Sequence, residues 1–354
     1  MKTYTPNLKL GRAVQQGEFN IAAIGLDHNH IYGMCKRLAD AGASVKWVYD
    51  PDPHKTQWFK EKFPEVEVAP SAQTILEDQE VHMVAAAPIP SERGELGLKV
   101  HRHGKHYFTA KTPFTCIQQL EKAKEMVRQT GKVWAVNYSE RIAVESAVFA
   151  GQLIEEGAIG RVVQVIGTGP HKLKEGERSS WFFEKEKYGG ILCDIGSHQV
   201  EQFLTFSGAK RAEVVFSRTE NYAHPDYPEL EDFGEVSLKA DNGASNYFRV
   251  DWLTPDGLHS WGDGRTFILG TDGYIELRKN LDLMRSRESD HLFLVNHEGE
   301  QYFSLKGKVG LPFYHHLIGD CLHGTEKAMT QEHAFLASEL SLKAQNMAER
   351  ERGG

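Results

Sequence analysis

The stretch I-A-A-I-G-L-D-H-N-H-I-Y-G-M, Ile21 to Met34, decides how the chain is read. A small, apolar run ends at Gly25, and a segment of helical period follows within a few residues. That order predicts a buried strand turning tightly into a helix. Where a phosphate-cradling loop repeats glycine, Asp27, His28, Asn29 and His30 stand instead. Only the first glycine of G-x-G-x-x-G is kept; Asp27 takes the second place and His30 the third. Three readings follow: a dinucleotide site, a metal site, or a plain turn capped by Asp27 or Asn29.

Outward from this turn, the pattern predicts strands at 20–25, 45–50, 82–87, 106–110 and 133–137. Helices at 31–40, 55–62, 71–77, 92–103 and 115–129 alternate with them, which is the signature of a parallel sheet. Beyond residue 140 the texture changes. A helix at 144–156, a strand at 161–167 and a helix at 197–206 lead into strands at 212–219, 234–240, 245–253, 266–270, 273–278 and 291–295. Turns D-N-G, T-P-D-G, G-D-G and T-D-G separate the later ones, as in an antiparallel sheet, and helices at 313–323 and 331–350 close the chain. The expected fold class is therefore α/β plus α+β. Residues 1–140 form a Rossmann-type, doubly wound parallel sheet, and 141–354 a large, open, mainly antiparallel sheet with flanking helices.

At 354 residues the chain is long enough for two cores. A hydrophobic fraction of 40% with 25% charged residues suits a soluble globular protein, and the net charge of -8 argues against nucleic acid or an anionic membrane as partner. No stretch has the length of a signal peptide core or a membrane span, so a cytoplasmic location is expected. Cys35, Cys116, Cys193 and Cys321 are widely spaced and read as reduced thiols.

In a doubly wound sheet the first strand-to-helix turn meets the pyrophosphate, and Gly25 stands there. Helix-start amides bind anions whatever the side chains are, and His28 or His30 can add a donor. The strand V-K-W-V-Y-D ends in Asp50, placed for an adenine ribose; its charge would repel a 2′-phosphate, so NAD is expected over NADP. Pro88 and Asn137, at later strand ends, complete the expected cofactor set. The metal reading is weaker, because Asp27, His28 and His30 lack a zinc spacing and H-E-x-x-H is absent; no metal is expected.

Two more stretches carry chemistry. G-K-H-Y-F-T-A-K-T-P places Lys111 at the end of the fifth strand, where a nicotinamide ring would lie. In G-G-I-L-C-D-I-G-S-H, Asp194 and His198 are four residues apart and can share one side of a helix. With these motifs the sequence resembles the Gfo/Idh/MocA oxidoreductases over nearly its whole length. Their patterns are G-K-H-V-x-x-E-K-P and G-G-G-x-L-x-D-x-G-x-H. The resemblance implies that Lys111, Asp194 and His198 are catalytic, that the second half carries the substrate pocket, and that the chain forms a homodimer or homotetramer. Three departures mark a divergent branch: Ala110 replaces a glutamate, Thr112 separates lysine from proline, and A-P-I-P-S-E-R puts Arg93 where histidine is usual.

The function expected is hydride transfer between NAD and a secondary hydroxyl or ketone of a sugar, sugar derivative or inositol-like polyol. His198 is the general base, Asp194 its orienting partner or a hydroxyl holder, and Lys111 the cation that stabilises charge on oxygen. Arg141, Trp181 and Phe182 are expected at the substrate, with Trp252 and Trp261 as further aromatic faces. Two other functions fit the same motifs: a bound, recycled NAD that assists elimination or glycoside cleavage, and a sugar or nucleotide sensor without catalysis.

Overall fold

The computed structural model describes residues 4–6 and 10–352. Its first half runs β1 (Asn20–Ile24), α1 (His30–Asp40), β2 (Ser44–Tyr49), α2 (Pro53–Lys62), β3 (Glu67–Val68), α3 (Ala72–Glu77), β4 (Val81–Ala86), α4 (Pro90–Arg102), β5 (His106–Ala110), α5 (Ile117–Thr130) and β6 (Trp134–Asn137). The six strands lie in the order β3-β2-β1-β4-β5-β6, each parallel to its neighbours. β5 and β6 are buried at every position, as strands covered on both faces must be. After β1 the chain moves to one side, and with β4 it returns on the other, so a crevice opens at the carboxyl ends of these two strands.

The second half continues with α6 (Ser139–Ile142), α7 (Glu145–Glu155), β7 (Val162–Pro170), α8 (Lys185–Tyr188), α9 (Ile191–Asp194), α10 (Gly196–Ser207), β8 (Ala212–Glu220), β9 (Phe233–Ala240) and β10 (Ser245–Asp251). It ends with β11 (Arg265–Gly270), β12 (Gly273–Arg278), β13 (His291–Asn296), β14 (Gly299–Ser304), α11 (Pro312–His323) and α12 (Gln331–Arg352). Eight strands pair in the order β14-β13-β12-β11-β7-β10-β9-β8; only β7 and β10 run parallel. Alternation sorts the faces: Phe248, Val250, Ile268, Ile275 and Leu294 are buried, while Tyr247, Phe267, Leu269, Tyr274 and Tyr302 stay exposed.

The two halves are tied by the chain end. Phe313, Tyr314, Leu317 and Ile318 of α11 share a core with Ile21, Ile31, Met34 and Phe108. On α12, Gln331 bonds the backbone of Trp134 at 2.8 and 3.0 Å, and Ser338 bonds the Tyr138 hydroxyl at 2.9 Å.

Departures from the sequence reading are local. β3 has two residues, too few for a period, and β14, E-Q-Y-F-S, has only partial alternation. α5 starts at Ile117 because the Thr115 amide is held by the Gln119 side chain at 2.9 Å. α4 starts at Pro90, which is suited to a first helical position. No helix among the described residues is long and apolar enough to cross a membrane.

Candidate active site

At the switch point, Gly25 has φ of +75°, and a Cβ there would stand 2.7 Å from the Cβ of Pro88. Both facts require glycine. The Ala87 amide donates to the Gly25 carbonyl at 3.1 Å and the His28 amide to the Ala87 carbonyl at 3.0 Å, stitching the ends of β1 and β4 together. Asp50 is buried, accepting the Leu26 amide at 2.7 Å and the Asp52 amide at 2.9 Å. Asp27 is paired with Lys55 of α2 at 2.5 Å, and Lys55 also lies 3.8 Å from Asp50. The negative charge that made this turn an odd phosphate site is thereby matched by a cation from another element.

His28 Nδ1 accepts the His30 amide at 3.2 Å, so one helix-start donor is already used, and Asn29 makes no side-chain cap. The amides of Asp27 and Asn29 have no acceptor among the described residues. Burial, and then the charge of Lys111, push the His28 imidazole below its ordinary range; burial and His28 do the same to His30. Both rings are therefore neutral, with His30 Nδ1 enclosed and unpartnered.

Lys111 follows the last residue of β5, and its peptide bond to Thr112 is cis. The loop is held by Arg93, which is fully buried. Its Nε donates to the Pro88 carbonyl at 2.8 Å, and its Nη1 reaches the carbonyls of Lys111, of Thr112 at 3.1 Å and of Ala110 at 3.4 Å. Burial lowers the guanidinium only to about 10, so it stays charged. Arg93 thus binds the turn after β4 to the lysine loop, and the altered residues Arg93, Ala110 and Thr112 prove to be one constellation.

Asp194 ends α9 and His198 lies in the first turn of α10, across Ile195, whose backbone is also helical. Gly190 starts this segment with φ of +88°, and a Cβ there would be 2.2 Å from the Gln345 side chain of α12. Lys111 Nζ and the Asp194 carboxylate form a buried ion pair. Burial alone would raise the Asp194 carboxyl, but Lys111 and, less strongly, Arg178 outweigh it and hold it low. Asp194 therefore faces Lys111, and the expected Asp194–His198 hydrogen bond is not formed. Burial dominates at His198; Glu140 pulls its pKa up, Lys111 pushes it down, and the result is about 3. His198 Nδ1 is buried without a partner.

These groups meet a cavity of about 440 Å³ between the two sheets. His28, Asn29, His30, Lys111 and His198 line it together with Glu140, His171, Arg178, Trp252, Trp261 and Lys279. Glu140 joins Lys279 at 2.7 Å and Gln199 at 3.0 Å; His171 Nε2 is 3.6 Å away. Burial would raise the Glu140 carboxyl, yet the charge of Lys279 beside it outweighs that and holds it low. Asn137, buried at the end of β6, does not line the cavity; its side-chain Oδ1 accepts from the Tyr314 hydroxyl at 3.4 Å.

Three substrate expectations need correction. Arg141 does not line this cavity, because its guanidinium pairs with buried Glu201 at 2.6 Å on another face of α10. Trp181 and Phe182 are core residues; Phe182 packs on Tyr188 and Trp252 with centroids 5.9 and 5.2 Å apart. The aromatic walls are Trp252 and Trp261. Sequence reasoning gave no role to Lys55, Arg93, Glu140, His171, Arg178 or Lys279, since each comes from a different segment and no local spacing links them.

The family described as "Oxidoreductase family, NAD-binding Rossmann fold" matches residues 19–138, and the "GFO/IDH/MocA C-terminal domain" matches 148–276. A crystal structure of a candidate oxidoreductase from Erwinia carotovora atroseptica SCRI1043 is 50% identical, with a TM-score of 0.91 over 94% of this chain and 99% of that one. Levoglucosan dehydrogenase, solved with NADH and levoglucosan, shares the fold at 18% identity and a TM-score of 0.77, over 94% and 98% of the two chains. Among curated relatives, scyllo-inositol 2-dehydrogenase (NAD(+)) of Bacillus subtilis (strain 168) is 25% identical over 57% of this chain and 56% of its own. D-xylose dehydrogenase of Paenarthrobacter nicotinovorans is 25% identical over 41% and 38%. The chain thus spans about half the length or less of these two curated relatives. With both halves matched in order and the fold shared throughout, the chain belongs to the GFO/IDH/MocA family of NAD-binding oxidoreductases.

Proposed function

We propose that the protein transfers a hydride between NAD(H) and a secondary hydroxyl or ketone of a sugar, sugar derivative or inositol-like polyol. The observation that carries this reading is that Lys111, ion-paired with buried Asp194, and His198 line one cavity that also reaches the switch-point turn at His28–His30. The names of the relatives, which act on inositol, xylose and levoglucosan, support the substrate class.

The residues present fit a dinucleotide. Gly25 permits the tight turn, and the Asp27 and Asn29 amides are free to meet phosphate oxygens. Asp50 holds two amides, yet a carboxylate has about four acceptor sites, which leaves capacity for ribose hydroxyls. Bound NAD supplies the hydride acceptor. The chain's own groups then handle the proton: neutral His198 accepts it from the substrate hydroxyl, while Lys111, steadied by Asp194, stabilises negative charge on that oxygen. An imidazole of low basicity suffices because the hydroxyl proton grows more acidic as the hydride leaves, and Lys111 holds the oxygen that gives it up.

Titration with NADH and with NADPH, followed by energy transfer from tryptophan, tests the cofactor half of the reading. Saturation by NADH ahead of NADPH is expected; folded protein that binds neither would remove the proposal. With an active sugar or inositol in hand, NADH release in step with turnover is expected, and turnover without release would favour the recycled-cofactor reading. The exposed aromatic face of the second sheet further supports self-association into a dimer or tetramer. Sedimentation of a monomer at micromolar concentration would contradict it.

A further inference from the structure

The cavity holds a cation that has no carboxylate. Lys111 is paired with Asp194, and Lys279 with Glu140. Arg37, also at its edge, leans on the Tyr314 ring at 5.9 Å. Arg178 forms no salt bridge among the described residues. Its Nε donates to the Leu173 carbonyl at 2.8 Å, and its guanidinium sits 4.3 Å from the Phe182 ring centre, 5.0 Å from Trp252 and 5.3 Å from Trp261. One Nη is enclosed without an acceptor; the other has no protein partner either, and the side chain, half-buried, faces the cavity. Its charge reaches Asp194 and His28.

A guanidinium fixed by three rings and one carbonyl, and partly stripped of water, is costly unless an anion completes it. We propose that the substrate of this site is a polyhydroxy monocarboxylate, a sugar acid such as a uronate or aldonate, whose carboxylate is received by Arg178 while a secondary hydroxyl faces Lys111 and His198. This deepens the dehydrogenase reading and rests on it for the chemistry, though the anion site itself does not need the cofactor. A carboxylate fits better than a phosphate dianion because the two lysines are neutralised in place, Arg93 is spent on backbone carbonyls and Arg37 lies on the Tyr314 ring, which leaves Arg178 to receive the anion.

Trp252 and Trp261 line the cavity and make its filling visible without any turnover. The full chain, with and without NADH, would be titrated by tryptophan fluorescence with a hexuronate, the matching aldonate, the parent aldose and its 6-phosphate. One of the two acids is expected to bind about 10- to 100-fold more tightly than the aldose, the range of a charged hydrogen bond. That preference should vanish in Arg178→Met and survive in part in Arg178→Lys, with circular dichroism reporting that both variants fold. An aldose bound as tightly as both acids, a phosphate bound more tightly than either, or a preference unchanged in Arg178→Met would overturn the proposal. Acid preference in a protein that never binds NADH would sink the dehydrogenase reading and leave the anion site standing. NADH binding with aldose preference would do the reverse.

Discussion

His198→Ala is expected to lower kcat by about 10²- to 10⁴-fold, the range for loss of a general base. NADH affinity should change little, because His198 reaches the cavity from α10 and is no part of the turn between β1 and α1. The pH profile adds a second reading. A reaction that needs a neutral imidazole fails as pH falls through the pKa of that imidazole in the free enzyme. Burial, countered by Glu140 and reinforced by Lys111, puts that value at about 3 for His198. The acid limb of kcat/KM should therefore lie well below the ordinary histidine value of about 6.5. Steady-state kinetics from pH 4.5 to 8 decide the matter: a limb centred near 6.5, or a variant within tenfold of wild type, would remove His198 as the base.

The second large effect falls on stability and activity together. Arg93→Met takes the donor from the carbonyls of Pro88, Lys111 and Thr112 in a place with no water access. A buried acceptor left without a partner costs about 1–3 kcal/mol, so a loss of about 3 kcal/mol or more is expected. The kinetic loss should exceed what unfolding explains, since the released loop is the one that aims Lys111 at the cavity. Arg93→Lys should recover part of the stability and little of kcat, because an ammonium cannot span the carbonyls as a planar fork does. Urea melts and kcat for both variants provide the check. A methionine variant within about 1 kcal/mol of wild type and of normal kcat would show that the clamp is dispensable.

The legible parts of this molecule were those with local periodicity or a fixed short spacing. The order of β1 to α5 and the antiparallel run after α10 follow from apolar alternation and from glycine turns. The turn before β12, for example, reads T-D-G and is a hairpin in the structure. Lys111, Asp194 and His198 stood out because each sits in a run of fixed short spacing, and in the second run Gly190 must avoid Gln345. What was hidden is pairing across distance. Nothing near Asp27 in the sequence announces Lys55, and nothing in S-E-R says that Arg93 will hold a loop eighteen residues away. The aromatic walls went wrong for a related reason. Trp181 and Phe182 stand close to the reactive motif in sequence, but the turn after β7 folds them inward, and Trp252 and Trp261 arrive at the cavity from beyond β10.

The closing helix α11 has a further consequence for how the protein is made. Ile31, Met34 and Phe108 are finished off by Phe313, Tyr314, Leu317 and Ile318, which leave the ribosome only after the entire second sheet. The dinucleotide half is thus encoded first and completed last. While β7 to β14 are being translated, its sheet waits with an apolar flank uncovered, the kind of surface that chaperones hold and that stalled chains share with one another. A lesion that removes everything after β14 spares Lys111, Asp194 and His198 and still unroofs the parallel sheet of the first half.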